Sequence, residues 1–288
     1  MLILSTAIAG LAAGAAYALV GIATLVTYRF VAVMNFSQTA VGAFGAFVMV
    51  TLYNGGLNLA LAILLGIATS AALNLLIGLA LVYWFRNGSP AVKTAVTIVV
   101  FTGLIALGSK LFSGFTLRSF PAPLSVGAFD VAGVTVTWLV IVSCLLAVAL
   151  AGICAFVLAR THTGLQLQAI SSRPTTALLQ GIPGTRIALS VWTATGALTA
   201  LALMLVAPQF PSNFVTFAML ITPAFAAALV GRFHSFWWTL AGGLGLGVLQ
   251  GALSSITVLQ QLRGAVPFIV ILALLLWSQR HKRYEELA

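Results

Sequence analysis

Apolar runs follow one another along this chain almost without interruption, and nothing else limits its possible folds as severely. Candidate runs cover 2–28, 39–53, 57–85, 91–108, 134–159, 187–206, 213–231, 235–258 and 264–278. About 20 apolar residues cross the hydrocarbon core of a bilayer as a helix. The run at 39–53 is short, and the run at 57–85 is long enough to tilt or bend. The runs are rich in Leu, Ala, Gly and Val and lack the alternation of a barrel strand, so they read as helices. The expected fold class is therefore all-α: a polytopic transmembrane helical bundle of about 8–10 spans.

Composition leaves no room for a soluble unit. Hydrophobic residues make up 61% of the chain and charged residues 6%, against about a quarter charged in a soluble domain. Residues 1–288 are read as a single transmembrane domain. The N-terminal run lacks a basic flank and is too long for a cleaved leader, so it is expected to be the first span. Cys144 and Cys154 lie ten residues apart on one predicted span. They can neither bridge each other nor form a metal site, and read as packing residues.

The net charge is +10. The cations are scattered singly between apolar runs, which is the pattern of topology signals and not of a nucleic-acid surface. With the C-terminal RHKRYEELA placed in the cytoplasm, ten basic residues fall inside: Arg29, Arg86, Lys93, Arg160, Arg173, Arg186, Arg232, Arg280, Lys282 and Arg283. Three fall outside: Lys110, Arg118 and Arg263. This bias puts residues 161–186 in the cytoplasm, and the loop at 109–133 and the N-terminus outside. Pro121 and Pro123 interrupt regular helix in the external loop, which is either a contact for an external partner or a plain connector.

No phosphate loop, HExxH motif, carboxylate pair or Cys/His cluster occurs in the sequence. The expectation is a chain that is not an enzyme and holds no metal or cofactor of its own. Its acids are Asp130, Glu285 and Glu286, all outside the spans, and His162, His234 and His281 fall on the cytoplasmic side. Proton-coupled carriers place such groups within the membrane, so a proton carrier is disfavoured. A sodium carrier using carbonyls and hydroxyls is less so. The neutral polar residues in or beside the spans are Asn35, Ser37, Gln38, Asn74, Thr94, Thr97, Thr222 and Gln250. Asn35, Ser37, Gln38, Thr94 and Thr97 are the candidate substrate path; hydrogen bonding between helices is the alternative. Asn35-Phe36-Ser37-Gln38 breaks two apolar runs, and Gly42 and Gly45 follow. Such a break can free backbone groups to line a path.

The stretch THTGLQLQAISSRPTTALLQGIPGTR, residues 161–186, is a polar island. Ser172 is placed to cap a helix with Pro174 in its first turn, and Gly181 with Ile182-Pro183-Gly184 ends it. Leu165 to Ile170 offers a second short helix. Ala177, Leu178 and Gly181 share a face. These short helices need a partner to be stable, either the bilayer surface or a groove on a motor subunit.

Gly164, Ala169, Ile170, Pro174, Ala177, Gly181 and Ile182 match the pattern G-x-x-x-x-A-I-x-x-x-P-x-x-A-x-x-x-G-I. This resembles the cytoplasmic coupling loop of branched-chain amino-acid-type ABC importer permeases. MNFSQTAVGAFGAF (34–47), AFAAALVGRFHSFWWTLAGGLGLGVLQ (224–250) and LRGAVPFIVILALLLW (262–277) are similar to three other stretches of that family, in order and spacing. The chain departs from the family pattern in having no acid in Gln38-Thr39-Ala40, and Ser171-Ser172-Arg173 where the family carries acidic residues.

The resemblance implies a permease subunit in a bacterial inner membrane, paired with a second, related permease chain. Two ATPase subunits, holding the ATP and Mg, would dock on loops such as 161–186, and an external binding protein would deliver the solute. Amino acids or relatives such as amides and urea would be the cargo. Gly164, Ala169, Ile170, Pro174, Ala177, Leu178, Gly181 and Ile182 become the candidate coupling residues. A passive small-solute channel, a gradient-driven carrier and a membrane scaffold are the competing readings.

Overall fold

The computed structural model describes residues 2–112, 120–121, 127–131, 134–172, 174–211, 213–256 and 261–285. Arg118, Pro123, Arg173 and Glu286 lie outside the described residues, as does most of the loop at 109–133. The helices are α1 (Leu2–Val31), α2 (Gln38–Asn54), α3 (Leu59–Tyr83), α4 (Pro90–Leu111), α5 (Trp138–Arg160), α6 (His162–Ser172), α7 (Pro174–Leu179), α8 (Gly184–Val206), α9 (Phe214–Met219), α10 (Ile221–Val230), α11 (Phe236–Ser254) and α12 (Val266–Glu285). An antiparallel hairpin of β1 (Ala128–Val131) and β2 (Val134–Thr137) precedes α5.

Among the described residues, six helices are long and apolar enough to cross a membrane: α1, α3, α4, α5, α8 with its 3-10 extension to Gln209, and α11. The apolar stretches 214–230 and 262–277 are shorter, and α2 has 17 residues. Each of the nine apolar runs thus corresponds to helix, with two corrections. The run at 134–159 begins as strand, because Val134-Thr135-Val136-Thr137 pairs with residues 128–131 and the helix starts at Trp138. The run at 213–231 is broken at Leu220, between α9 and α10. Pro223 has no N–H to give to the helix that would run through it, and the Thr39 hydroxyl donates to the Ala218 carbonyl at the break, at 2.6 Å.

Two helix pairs organise the packing: α1 lies along α11, and α8 lies along α3. The first pair is close because glycines face each other. A Cβ on Gly14 would stand 2.9 Å from the Gly243 carbonyl oxygen, and one on Gly243 would stand 2.6 Å from the Cα of Ala18. Small residues let helix backbones approach in this way. Tyr17 crosses the same interface, its hydroxyl donating to the Gln250 side-chain oxygen at 2.8 Å. Helix α2 fills the angle between α3 and α8, and α10 the angle between α1 and α11.

Aromatic rings close one end of α2 and α9. Phe47 packs on Phe120, Phe214 and Phe217 with centroids 5.5 Å away in each case. Phe120 also stacks on Phe217 at 5.4 Å, which anchors the chain after α4 to the bundle. Gly108 on α4 leaves room for the ring of Phe214.

Candidate functional site

The break between α1 and α2 carries the polar candidates. Ala32 has φ 55, which turns the chain out of α1. An L-residue in this left-handed region costs about 1–2 kcal/mol, so the surrounding contacts must hold it. The freed backbone finds partners on α4: the Met34 N–H donates to the Thr94 hydroxyl at 3.3 Å, and the Phe36 N–H to the Thr97 hydroxyl at 3.2 Å. Thr97 in turn donates to the Met34 carbonyl at 3.0 Å. Non-helical backbone at membrane depth needs satisfaction of this kind.

Asn35 organises the turn. Its Oδ1 accepts from the Ser37 N–H at 3.1 Å and the Ser37 hydroxyl at 2.6 Å. Its Nδ2 donates to Gln38 Oε1 at 2.7 Å and Asn74 Oδ1 at 3.2 Å. Gln38 Nε2 donates to the Thr195 carbonyl at 2.8 Å and the Thr199 hydroxyl at 2.6 Å. Asn74 Nδ2 donates to the Trp192 carbonyl at 2.7 Å and Thr195 Oγ1 at 3.2 Å. Thr27 on α1 reaches the same Thr195 hydroxyl at 3.3 Å. Asn35, Ser37, Gln38, Asn74 and Thr97 are buried, and Thr94 is half-buried at the edge.

The structure therefore brings all five path candidates together and engages their polar groups with protein. The amide-bearing side chains cross-link α2, α3 and α8. The sequence list omits Thr27, Thr39, Ser70, Thr195 and Thr199, which complete the belt. Each is buried, but a lone Thr or Ser in an Ala-rich helix gives no signal apart from its partners. Gln250 belongs elsewhere, with Tyr17. Trp192 sits beside the belt with its indole N–H buried and without a hydrogen-bond partner among the described residues.

The polar island folds as two helices. Thr161 caps α6, its hydroxyl accepting the Gly164 N–H at 3.1 Å and donating to the Val157 carbonyl at 2.6 Å. Gly164 sits against the end of α5, where an added Cβ would come within 2.7 Å of the Leu158 carbonyl oxygen. Gln168 Nε2 donates to that same carbonyl at 2.7 Å. The Ser172 hydroxyl donates back to the Gln168 carbonyl at 2.9 Å. Helix α7 ends as expected at Gly181, φ 78, with the Ile182 N–H donating to the Ala177 carbonyl at 3.1 Å. That bond is the long one of a Schellman motif.

The coupling candidates divide between the two sides of this element. Gly164 and Ala177 are buried against the chain, Ala177 at 2% exposure, and Ile170 and Ile182 pack on the core. Ala169 is half-buried, and the side chains of Pro174 and Leu178 lie outside the described ones. Only Gly181 is exposed among those described. The free side instead carries two residues that the sequence list omits, Leu179 at 89% and Leu165 at 62% exposure. A face drawn through Ala177 and Gly181 misses them, because Ala177 turns inward. Among the described residues, no group of three or more His, Cys, Asp or Glu is placed to hold a metal ion.

Long apolar helices, a satisfied polar break within them and a folded polar element between α5 and α8 define a multi-pass membrane protein. Residues 6–275 match the family described as the permease component of the branched-chain amino acid transport system. The chain belongs to that family of transport subunits. Comparison with curated proteins and with solved structures gives no match.

Proposed function

We propose that this chain is the permease subunit of an ATP-driven ABC importer in a bacterial inner membrane. Its cargo is branched-chain amino acids or related small polar solutes such as amides and urea. It works with a second, related permease chain, two ATPase subunits that hold ATP and Mg, and an external solute-binding protein. The C-terminus and the α6–α7 element face the cytoplasm. The observation that carries this reading is the family match over nearly the whole chain. The α6–α7 element supports it, because a passive channel has no need of a structured docking surface on one face.

In this reading the ATPases close on ATP and move α6 and α7, and the spans switch the side on which the path is open. Helix α6 is fixed to the end of α5 through Gly164 and Gln168, so force on it reaches a span directly. Asn35, Ser37, Gln38, Thr94 and Thr97 meet solute only after their mutual hydrogen bonds open. Neutral amides and hydroxyls suit a zwitterionic or amide solute, since they can donate and accept without ionising.

The test is purification in mild detergent from cells that also express the partner genes. An ATPase should remain with the chain. A monodisperse chain that never retains one contradicts the subunit reading and favours a channel.

A further inference from the structure

Resting on the proposed function and deepening it, we propose that Trp192 is a solute-contacting residue of the path. Its indole N–H donates to the carboxylate of an amino-acid solute when the belt opens. Trp192 is fully buried, at 0% exposure. Among the described residues two buried side-chain polar atoms lack a hydrogen-bond partner, Trp192 Nε1 and Ser143 Oγ. Ser143 lies on α5, which contributes no residue to the belt. Trp192 is joined to the belt by its own backbone: its carbonyl accepts from Asn74 Nδ2 at 2.7 Å and from the Thr195 hydroxyl at 3.1 Å. The ring rests on Gly78, one turn along α3 from Asn74. A Cβ on Gly78 would stand 2.8 Å from Cδ1, the ring atom bonded to Nε1. Val33 of the break, Val41, Ile77 and Leu81 share its buried cluster.

A buried indole N–H ordinarily finds a partner, and an unpaired one destabilises the resting state. The neighbours in its cluster are apolar, so a resident water would have too few partners. The amides and hydroxyls of the belt are engaged with one another. At each of those a solute must break one hydrogen bond to gain one. Trp192 Nε1 gains a bond and loses none, so it favours the solute-loaded state over the resting one. An indole nitrogen only donates, so its partner is an acceptor. A carboxylate is the strongest acceptor that an amino acid offers. Asp130, Glu285 and Glu286 all lie outside the apolar spans, so no acid of the chain repels it there. Val33 belongs to the break, so a movement of the break away from α3 and α8 uncovers the ring.

The experiment reconstitutes the full complex in proteoliposomes with a saturating amount of leucine-loaded binding protein, and measures leucine moved per ATP hydrolysed. Trp192 is replaced by benzothienylalanine through codon suppression, which puts sulfur where the N–H stands and keeps the shape of the ring. Leucine per ATP should fall about tenfold, for the loss of one hydrogen bond to a charged group, while ATP turnover persists. The thermal midpoint should be no lower than that of wild type, because the N–H has no partner to lose. The same replacement at Trp84, which is 84% exposed, should change neither quantity. Uptake and ATP turnover that fall together at an unchanged ratio overturn the proposal, by assigning the N–H to the motion of the spans. Unchanged uptake or a lowered midpoint overturns it as well. Wild type that moves no leucine with ATP contradicts the proposed function, and this proposal with it, before any variant is compared.

Discussion

The Asn35 amide donates to the side-chain oxygen of Gln38 at 2.7 Å, and both side chains are fully buried. Gln38 then spends its own amide hydrogens on the Thr195 carbonyl and the Thr199 hydroxyl. Removing one partner from such a network leaves buried groups unsatisfied, at about 1–3 kcal/mol each. Gln38→Ala is therefore expected to lower thermal stability clearly, and Asn35→Ala more so, because Asn35 also fixes the Ser37 turn. Thermal unfolding of the purified variants in detergent checks this. Unchanged midpoints would show that the belt does not hold α2, α3 and α8 together.

The α1–α11 contact yields a paired prediction on one helix. A Cβ on Gly243 would collide with the backbone of Ala18, whereas among the described residues nothing lies within 4 Å of a Cβ on Gly245. Gly243→Leu should fail to yield a stable protein. Gly245→Leu should fold with wild-type stability, since an apolar side chain there meets open space. Yield of monodisperse protein, followed by a thermal scan, separates the two.

Gly181 tests the free side of α7. Among the described residues nothing beyond its chain neighbours lies within 4 Å of a Cβ built there, but φ is 78. Gly181→Trp should keep the spans folded and lose the ATPase. Gly181→Asn, which tolerates the left-handed region better than other residues, should retain it. Co-purification of ATPase with each variant is the measurement. Equal retention by both would place the motor's grip elsewhere.

Topology follows from α3. Gly56 precedes this helix and Gly88 follows it. With Cys144 and Cys154 replaced, a cysteine at 56 should label from outside and one at 88 only after permeabilisation. Labelling of both from one face would contradict a crossing by α3 and the positive-inside orientation.

Spans were legible because length and apolarity alone define them. The Asn35 break and the α7 stop at Gly181 carried local signals as well. What stayed hidden depended on distant partners. Thr195 and Thr199 read as ordinary helix residues until Gln38 and Asn74 are seen to bond them. Leu179 reads as packing until Ala177 is found on the inner side of α7. The break at Leu220 had a visible cause in Pro223, yet proline is tolerated in many membrane helices, so the residue alone does not mark a break. Thr161 carried a cap signal of its own at the start of α6, where its hydroxyl accepts the Gly164 N–H.

The central claim is that this subunit moves solute only when a partner ATPase turns over. Its most direct test is uptake of a radiolabelled branched-chain amino acid by the full complex in proteoliposomes, with binding protein supplied at the external face. The account predicts uptake that requires ATP and Mg on the opposite side and survives collapse of proton and sodium gradients, since Asp130, Glu285 and Glu286 all lie outside the apolar spans. Uptake driven by an ion gradient in the absence of ATP would contradict it.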